Sequence, residues 1–176
     1  MGNLVNDLVK KLIDVGAVRF GEFILASGKK SNVYVDIKIA STHPDVLKAI
    51  AEAMAEKLKD LDFDKIACIE LGGVPLAVAL SLELNKPYVI FRKQKKDYGV
   101  RADYVGEIKE DEKFVVVEDV TTTGNSAWSV VERLKRYKAE VVALVVVVDR
   151  EEGAKDKFDV FIPLLTLSQL LEFSKP

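Results

Sequence analysis

The sequence predicts a single α/β domain built on a mainly parallel sheet that helices cover on both faces. Short, nearly continuous apolar segments alternate with helical patterns along the chain, as they do in parallel sheets buried on both faces. The 176 residues suit one domain, because two domains would each have too small a core. Hydrophobic residues make up 49% and charged residues 31%, which permits a packed core beneath a charged surface.

The helices are predicted from apolar residues that recur every three or four positions. In the first helix these residues are Leu4, Leu8 and Leu12. The second helix begins at Pro44, a residue suited to the first turn of a helix. The others lie between predicted strands. The predicted helices span Asn3–Asp14, Pro44–Lys59, Pro75–Leu84, Ala127–Tyr137 and Thr166–Phe173.

The strands are predicted from short runs of apolar residues, many of them β-branched. The longest run, Val141–Val148, is far shorter than the roughly 20 apolar residues of a membrane span. The first two strands are separated by the turn-like segment Ser27–Lys30. The predicted strands span Arg19–Leu25, Val33–Ile39, Ile66–Ile69, Tyr88–Phe91, Phe114–Val117, Val141–Val148 and Val160–Ile162.

Composition and charge exclude several classes of protein. Lys plus Arg (26) nearly balances Asp plus Glu (28), a formal net charge of -2, so the basic excess of a dedicated nucleic-acid binder is missing. Cys68 is the only cysteine, which excludes an intrachain disulfide and a cysteine-based zinc site. His43 is the only histidine, which excludes a histidine-rich metal site. The N-terminus has no signal-peptide apolar region, so a cytoplasmic protein without membrane segments is expected.

Function is sought where the strands end, because ligands of parallel α/β sheets bind beyond the carboxyl ends of the strands. The first such end follows Ile69 and carries Gly72 and Gly73, which let main-chain N–H groups approach an anion closely. For a Gly-Gly pair alone, a tight strand-to-helix turn is the simpler interpretation. The pair belongs neither to a dinucleotide-binding glycine pattern nor to a Walker loop.

The second strand end carries the cationic segment Arg92–Arg101. It has five Lys or Arg residues in ten positions, contains a glycine and lacks apolar periodicity, which indicates an exposed mobile loop. Most charge runs are simply solvated surface. At the carboxyl end of a strand, however, a cationic flap is suited to neutralise a polyanionic leaving group and to exclude water.

The third strand end is the most informative. Two adjacent acids follow Phe114–Val117, and they repel each other unless sugar hydroxyls or a cation bind them. A turn rich in threonine and glycine comes next, and its free N–H groups lie where a helix begins, which attracts phosphate. A helix N-cap next to ordinary strand-end acids would explain any one of these residues. A binding site for ribose 5-phosphate explains why the acids, the threonines and the glycine occur together in this order. The predicted binding residues are Glu118, Asp119, Val120, Thr121, Thr122, Thr123, Gly124, Asn125 and Ser126.

The segment Val115–Gly124 resembles the signature of type I phosphoribosyltransferases, in which a hydrophobic strand precedes two acids and a threonine–glycine loop. The resemblance implies the fold of that family, with one domain over residues 1–176 and a small hood made of residues 1–40 and the C-terminal segment. It also implies that Glu118 and Asp119 contact the ribose hydroxyls of phosphoribosyl pyrophosphate. Residues 121–126 would then hold the 5-phosphate.

Other segments are similar to the orotate branch of that family. Phe23–Asp36 resembles its hood, and Phe91–Gly99 resembles its catalytic flap. Asp149–Gly153, which by itself is typical of a charged surface turn, resembles an Asp-Arg segment of the orotate enzymes. The resemblance implies that Arg150 and Thr122 bind orotate, with Arg150 pairing with the orotate carboxylate.

The same resemblance implies how the pyrophosphate is bound and released. Arg92, Lys93 and Lys96 would bind it, helped by Tyr98 and the glycine pair, and Lys96 would reach the other subunit's site in a homodimer. Magnesium is expected to be held mainly by the substrate pyrophosphate. Catalysis is expected from positioning and electrostatics, without a covalent nucleophile. The predicted catalytic residues are Lys96, Asp119 and Glu118.

Three positions depart from the orotate pattern. Ala26 and the glycine pair stand where many orotate enzymes have lysines that contact phosphate, and Tyr98 stands where many have a histidine in the flap. The first two contacts are then lost or made by other residues such as Lys29 or Lys30, and a histidine general acid in the flap is in doubt. The ribose-phosphate turn is unaffected.

Two alternatives stay open. A phosphoribosyltransferase for another base, such as a purine, would share the ribose-phosphate turn. A regulator with the same fold could bind nucleotides or RNA without catalysis. Such a regulator would not need a cationic flap beside intact acids, and the net charge of -2 disfavours RNA.

Overall fold

The structure is a computed structural model that describes residues 2–93 and 103–176. Eight strands and six α-helices are found in this part of the chain, with one short 3-10 helix at Ala154–Lys157. The strands are β1 Val18–Ile24, β2 Lys30–Val35, β3 Lys65–Ile69, β4 Tyr88–Phe91, β5 Tyr104–Val105, β6 Lys113–Thr121, β7 Glu140–Asp149 and β8 Phe161–Thr166. The helices are α1 Gly2–Asp14, α2 Ile37–Ser41, α3 Pro44–Leu58, α4 Gly73–Leu84, α5 Asn125–Arg136 and α6 Leu167–Phe173.

The main sheet has six strands in the order β5-β4-β3-β6-β7-β8. All neighbouring strands are parallel except β4 and β5, which pair antiparallel at one edge. From β3 the chain proceeds outward to β4 and β5, and from β6 it proceeds in the opposite direction to β7 and β8. The strand order therefore reverses between β3 and β6, and such a switch point opens a crevice at the carboxyl ends of the two strands.

Helices cover both faces of this sheet. On one face Val115 and Val117 of β6 belong to the same buried cluster as residues of α1, α3 and α4, and on the other face Phe114 and Val116 cluster with residues of α5. Successive side chains of a strand point to opposite faces, so the alternation buries β6 on both sides. The predicted fold class, a mainly parallel sheet flanked by helices, is confirmed.

A hairpin near the N-terminus and the last helix pack together beside this sheet. Strands β1 and β2 form a separate antiparallel hairpin with an irregularity between Phe20 and Phe23. Helix α6 contacts both β2 and β8, so the N-terminal hairpin and the C-terminal helix lie together. In the part of the chain that the structure describes, no helix is both long and apolar enough to cross a membrane.

The predicted strand Val33–Ile39 is wrong beyond Val35. Asp36 instead caps the short helix α2, and its carboxylate accepts a hydrogen bond from the Lys38 backbone N–H at 3.2 Å. An aspartate in this role satisfies a helical N–H group that a strand would offer to a neighbouring strand.

Two more predicted boundaries are wrong around the threonine-rich turn. Strand β6 does not end at Val117 but continues to Thr121, because its pairing with β7 extends to Thr121 opposite Asp149. The two acids therefore lie inside the strand rather than after it. Helix α5 begins at Asn125, two positions earlier than predicted.

Helix α4 begins at Gly73, two positions before the predicted Pro75, and β2 begins at Lys30, three positions before the predicted Val33. Other differences are at the edges of the sheet. Strand β8 extends to Thr166, beyond the predicted Val160–Ile162, because its pairing with β7 continues to that residue. Strand β5 has only two residues, too few for any periodicity to reveal it. The 3-10 helix at Ala154–Lys157 was likewise not predicted.

Candidate active site

The crevice at the switch point is formed where the loop after β3 meets the end of β6. A Cβ atom placed on Gly72 would lie 2.1 Å from Oδ2 of Asp119, and one on Gly73 would lie 3.1 Å from Cβ of Cys68. The first distance is impossible for a real side chain, so only glycine lets this loop lie against the Asp119 carboxylate. The glycine pair thus marks a close backbone approach as well as a turn.

Asp119 is held from a second side by a lysine. Its side chain is 11% exposed, and Oδ2 accepts a hydrogen bond from Nζ of Lys38 in α2 at 3.3 Å. The Asp119 carboxylate is the largest cause that raises the pKa of Lys38 above its usual value. The carboxylate therefore lies between the backbone of one loop and the ammonium group of α2.

Glu118 is buried, and its carboxyl oxygen Oε1 accepts a hydrogen bond from the Asp119 backbone N–H at 3.1 Å. Burial, followed by the hydrogen bonding and charge of Asp119, raises the pKa of Glu118 to about 9. The raised pKa relieves the predicted repulsion between the adjacent acids, because Glu118 then keeps its proton at neutral pH.

The turn between β6 and α5 brings backbone N–H groups to the same crevice. Gly124 caps α5 with a positive φ of 81°, and a Cβ there would also lie 3.0 Å from Cβ of Ala154. Thr122 and Thr123 before it are exposed, as are Asn125 and Ser126 in the first turn. The first N–H groups of a helix have no intrahelical acceptor, so this end can bind a phosphate.

Thr121 differs from the other threonines of the turn because its hydroxyl already has a partner inside the protein. The buried Oγ1 donates to Oδ1 of Asp149 at 2.8 Å, and the Arg150 backbone N–H donates to the Thr121 carbonyl at 2.9 Å. These bonds join the carboxyl ends of β6 and β7. The Thr121 side chain therefore links the two strands, and its hydroxyl proton is not available to a ligand.

The β1–β2 hairpin contacts the end of β7. Nη2 of the buried Arg150 donates to Oγ of Ser31 at 3.1 Å, and Lys29 pairs with Glu152 at 3.2 Å. Ser31 is held in turn by its bond to the Val33 carbonyl. The hairpin and the predicted orotate-binding arginine thus face the same side of the sheet.

The end of β4 lies on the other side of the crevice. The Lys93 N–H donates to Oε2 of Glu70 at 3.2 Å, and the Arg92 N–H donates to the Asp103 carbonyl at 2.9 Å. The backbone of Lys93 therefore lies beside the loop after β3, and Arg92 precedes it at the end of β4. Lys96 and Tyr98 lie outside the described residues.

No protein-built metal site is found within residues 2–93 and 103–176. There, no three or more histidine, cysteine, aspartate or glutamate residues are grouped so that they could hold a metal ion.

Comparison with known proteins decides the family. Residues 38–169 match the phosphoribosyl transferase domain family. The chain is 60% identical to an orotate phosphoribosyltransferase of Archaeoglobus fulgidus over 96% of this chain and 93% of that protein. This chain belongs to the orotate phosphoribosyltransferase family.

Solved structures of orotate phosphoribosyltransferases have the same fold. The crystal structure from Aeropyrum pernix matches with a TM-score of 0.83 and 31% identity, covering 94% of this chain and 97% of that chain. A Mycobacterium tuberculosis structure in complex with 5-phospho-alpha-D-ribosyl 1-diphosphate matches with a TM-score of 0.76 and 29% identity, covering 95% and 98%. The resemblance seen in the sequence is thus confirmed for the family and for the fold.

Sequence reasoning did not single out Lys38, which contacts the predicted ribose-binding residue Asp119. Lys38 lies in a segment predicted as strand, and nothing in its local pattern points to Asp119, 81 positions away. No signal in the sequence around Lys38 could have identified this contact.

Proposed function

We propose that this chain transfers the 5-phosphoribosyl group from phosphoribosyl pyrophosphate to orotate, giving orotidine 5-phosphate and pyrophosphate in pyrimidine biosynthesis. The observation that carries the proposal is 60% identity, over 96% of the chain, to an orotate phosphoribosyltransferase. The arrangement of acids, threonines and helix N-terminus at the end of β6 supports the same reaction.

The sugar phosphate is proposed to bind at the end of β6. Asp119 would accept hydrogen bonds from the ribose hydroxyls, and Glu118, protonated at neutral pH, can both accept and donate. The 5-phosphate would bind the exposed threonine hydroxyls and the unpaired N–H groups of the first turn of α5. Val120 is proposed to contact the substrate next to the acids, and the proposed phosphate-binding residues are Thr121, Thr122, Thr123, Gly124, Asn125 and Ser126.

Orotate is proposed to bind beside the β1–β2 hairpin, at Arg150 and Thr122. Arg150 is buried, and its side-chain partner among the described residues is the neutral hydroxyl of Ser31. A buried cation without an acidic partner is costly, and the orotate carboxylate would supply the missing charge.

The pyrophosphate is proposed to leave toward the loop after β3 and the cationic segment that follows β4. The backbone at Gly72 and Gly73 allows close approach, and Lys93, which follows Arg92, has its backbone beside that loop. Lys96 and Tyr98 are assigned to the same role through the family resemblance alone.

The reaction breaks the bond from the anomeric carbon to pyrophosphate while the orotate ring nitrogen attacks from the opposite face. Positive charge develops on the sugar ring and negative charge on the leaving group. The acids of β6 lie near the ring, and the cations beyond β4 compensate the leaving group. Magnesium, held mainly by pyrophosphate oxygen atoms, would add further compensation, as is usual for Mg²⁺ in phosphate sites.

The proposed organisation is one domain over residues 1–176, with residues 1–40 and the C-terminal segment forming the hood. Contact of α6 with β2 supports this grouping. A homodimer is proposed, in which Lys96 serves the neighbouring subunit's site. The cytoplasm is the proposed compartment.

The test is incubation with phosphoribosyl pyrophosphate, magnesium and, in separate reactions, orotate, uracil, adenine or hypoxanthine, with pyrophosphate release followed. Release with orotate alone, together with formation of orotidine 5-phosphate, is expected. Preference for a purine would favour the other branch of the fold, and release with none of the bases would favour a regulator. Asp119→Asn should weaken the sugar contact by roughly 1.5–3 kcal/mol, as for hydrogen bonds to charged groups.

A further inference from the structure

We propose that Lys38 is a positioning residue of the phosphoribosyl pyrophosphate site, and that it acts by holding the Asp119 carboxylate against the Gly72 backbone. The inference rests on the proposed function, which makes Asp119 a ribose contact. It adds a residue from α2, an element that the predicted site did not include.

The first step is steric. The loop after β3 carries no lysine, and a Cβ on Gly72 would lie 2.1 Å and 2.8 Å from the two oxygen atoms of Asp119. A lysine at position 72 would displace the Asp119 carboxylate, so it could not pair with that group in this position. The cation must therefore approach Asp119 from another element of the fold.

The second step is the position of Lys38. Its Nζ atom lies 3.3 Å from Oδ2 of Asp119, and within residues 2–93 and 103–176 this is the one ion pair that Asp119 makes. The Lys38 backbone N–H is fixed by the Asp36 carboxylate at 3.2 Å, and this cap holds the start of α2. The ammonium group is thus aimed at Asp119 by the helix cap.

The third step is electrostatic. Asp119 and Asp36 both place negative charge around Lys38, and both raise the pKa of its ammonium group, Asp119 by the larger amount. The nearly buried Asp119 gains a compensating charge, and the Gly72 backbone limits the directions in which its side chain can lie. A carboxylate held in one orientation binds a diol with a smaller loss of conformational entropy.

The role predicts a specific kinetic pattern. Lys38→Met keeps the aliphatic stem and removes the charge, so the KM for phosphoribosyl pyrophosphate should rise about tenfold. This is the lower end for a charge-assisted hydrogen bond, because the Lys38 side chain is 57% exposed. The KM for orotate should stay unchanged, and Lys38→Arg should restore most of the lost affinity.

The matched control is Lys48→Met. Lys48 also lies on a helix and pairs with an acid, Glu52, at 3.9 Å, but its side chain is 74% exposed and does not belong to the site. This variant should have the kinetic constants of the wild type.

The deciding experiment is a double-mutant cycle with Asp119→Asn, using both steady-state kinetics and calorimetric binding of phosphoribosyl pyrophosphate. If Lys38 acts through Asp119, Lys38→Met adds little to the defect of Asp119→Asn. Additive effects would overturn the proposal, as would unchanged affinity in Lys38→Met or failure of Lys38→Arg to restore it. A wild-type protein that binds phosphoribosyl pyrophosphate but is inactive with orotate would refute only the proposed function.

Discussion

Single residues determine the shape of the crevice, and Gly72 is the clearest case. The Asp119 carboxylate occupies the space that the Cβ atom of any other residue at this position would need. The atom in the way is the end of a short side chain, so the protein can accommodate a methyl group by moving the Asp119 carboxylate. Replacing Gly72 by alanine should therefore lower the activity more than the free energy of unfolding.

Gly72→Ala should lower kcat/KM for phosphoribosyl pyrophosphate on the order of 10- to 100-fold, as expected when a charged hydrogen bond is misplaced. The free energy of unfolding in urea should change by less than about 1 kcal/mol, because φ at this position suits alanine. Gly2→Ala is the control, since its added methyl group meets nothing within 4 Å. Full activity in Gly72→Ala would contradict the close approach described for this loop.

The raised pKa of Glu118, from 4.5 to about 9, predicts how stability depends on pH. Between these values the folded protein keeps a proton that the unfolded chain releases, so the free energy of unfolding falls as pH rises. The contribution is complete below about pH 4.5 and is lost as pH rises through about 9.

Glu118→Gln should remove this pH-dependent part of the free energy of unfolding, because glutamine is a neutral counterpart of the protonated acid. Urea unfolding of both proteins across this pH range should give a flatter profile for the variant, which should be the more stable protein above pH 9. Parallel profiles would show that Glu118 is already ionised when the site is empty.

Residue types predicted the site better than they predicted its contacts. The acids, the threonines and the glycine pair could all be recognised as candidates by their chemistry and by their place after apolar strands. Lys38 did not, because its partner is 81 positions away and no local pattern encodes such a pairing. The hydroxyl of Thr121 was grouped with its neighbours, yet it donates to Asp149, which only the pairing of β6 with β7 determines.

At the scale of elements, the long periodic helices and the apolar strands were predicted well, because burial fixes both periodicities. The short elements were not. Helix α2 depends on one capping carboxylate, and β5 has two residues that pair at a sheet edge. The pairing of β5 with β4 is a tertiary contact, and a single capping residue is too small a local signal to reveal α2.

Helix α5 and the residue after it also contact Arg92 and Asp103, the residues near the two ends of segment 94–102. Arg133 donates to the Arg92 carbonyl at 2.6 Å and lies 3.7 Å from the Asp103 carboxylate, which also accepts from the Tyr137 hydroxyl at 2.8 Å. The side chains of Arg133 and Asp103 are both largely buried.

Arg133→Met should therefore destabilise the fold by about 3 kcal/mol, because it leaves Asp103 buried without its cation. Lys109→Met, which breaks an exposed pair with Glu107, should cost less than about 1 kcal/mol. Urea unfolding measures both. Combining Arg133→Met with Asp103→Asn should recover part of the loss, and no recovery would mean that packing rather than charge explains it.

At the scale of the whole molecule, the proposed homodimer predicts complementation between two impaired variants. Lys96→Ala should reduce kcat on the order of 100- to 1,000-fold, the usual cost of removing a preorganised electrostatic donor. Mixed with Asp119→Asn subunits, it should form dimers in which one site has both wild-type residues, and activity should reappear there. Verified mixed dimers without recovery would place Lys96 in its own subunit's site or outside catalysis.

The reversal of strand order between β3 and β6 also has a consequence for how the chain folds. Strands β6, β7 and β8 and helix α5 are neighbours both in sequence and in space, so the phosphate-binding turn can order through short loop closures. The contacts of Asp119 with Gly72 and Lys38 instead require β3 and β6 to meet after a long stretch of chain. Closing the long loop between β3 and β6 lowers the conformational entropy of the chain before any contact compensates for that loss. Refolding should therefore restore helical structure before it restores binding of phosphoribosyl pyrophosphate, since the crevice closes only when the two halves of the sheet join.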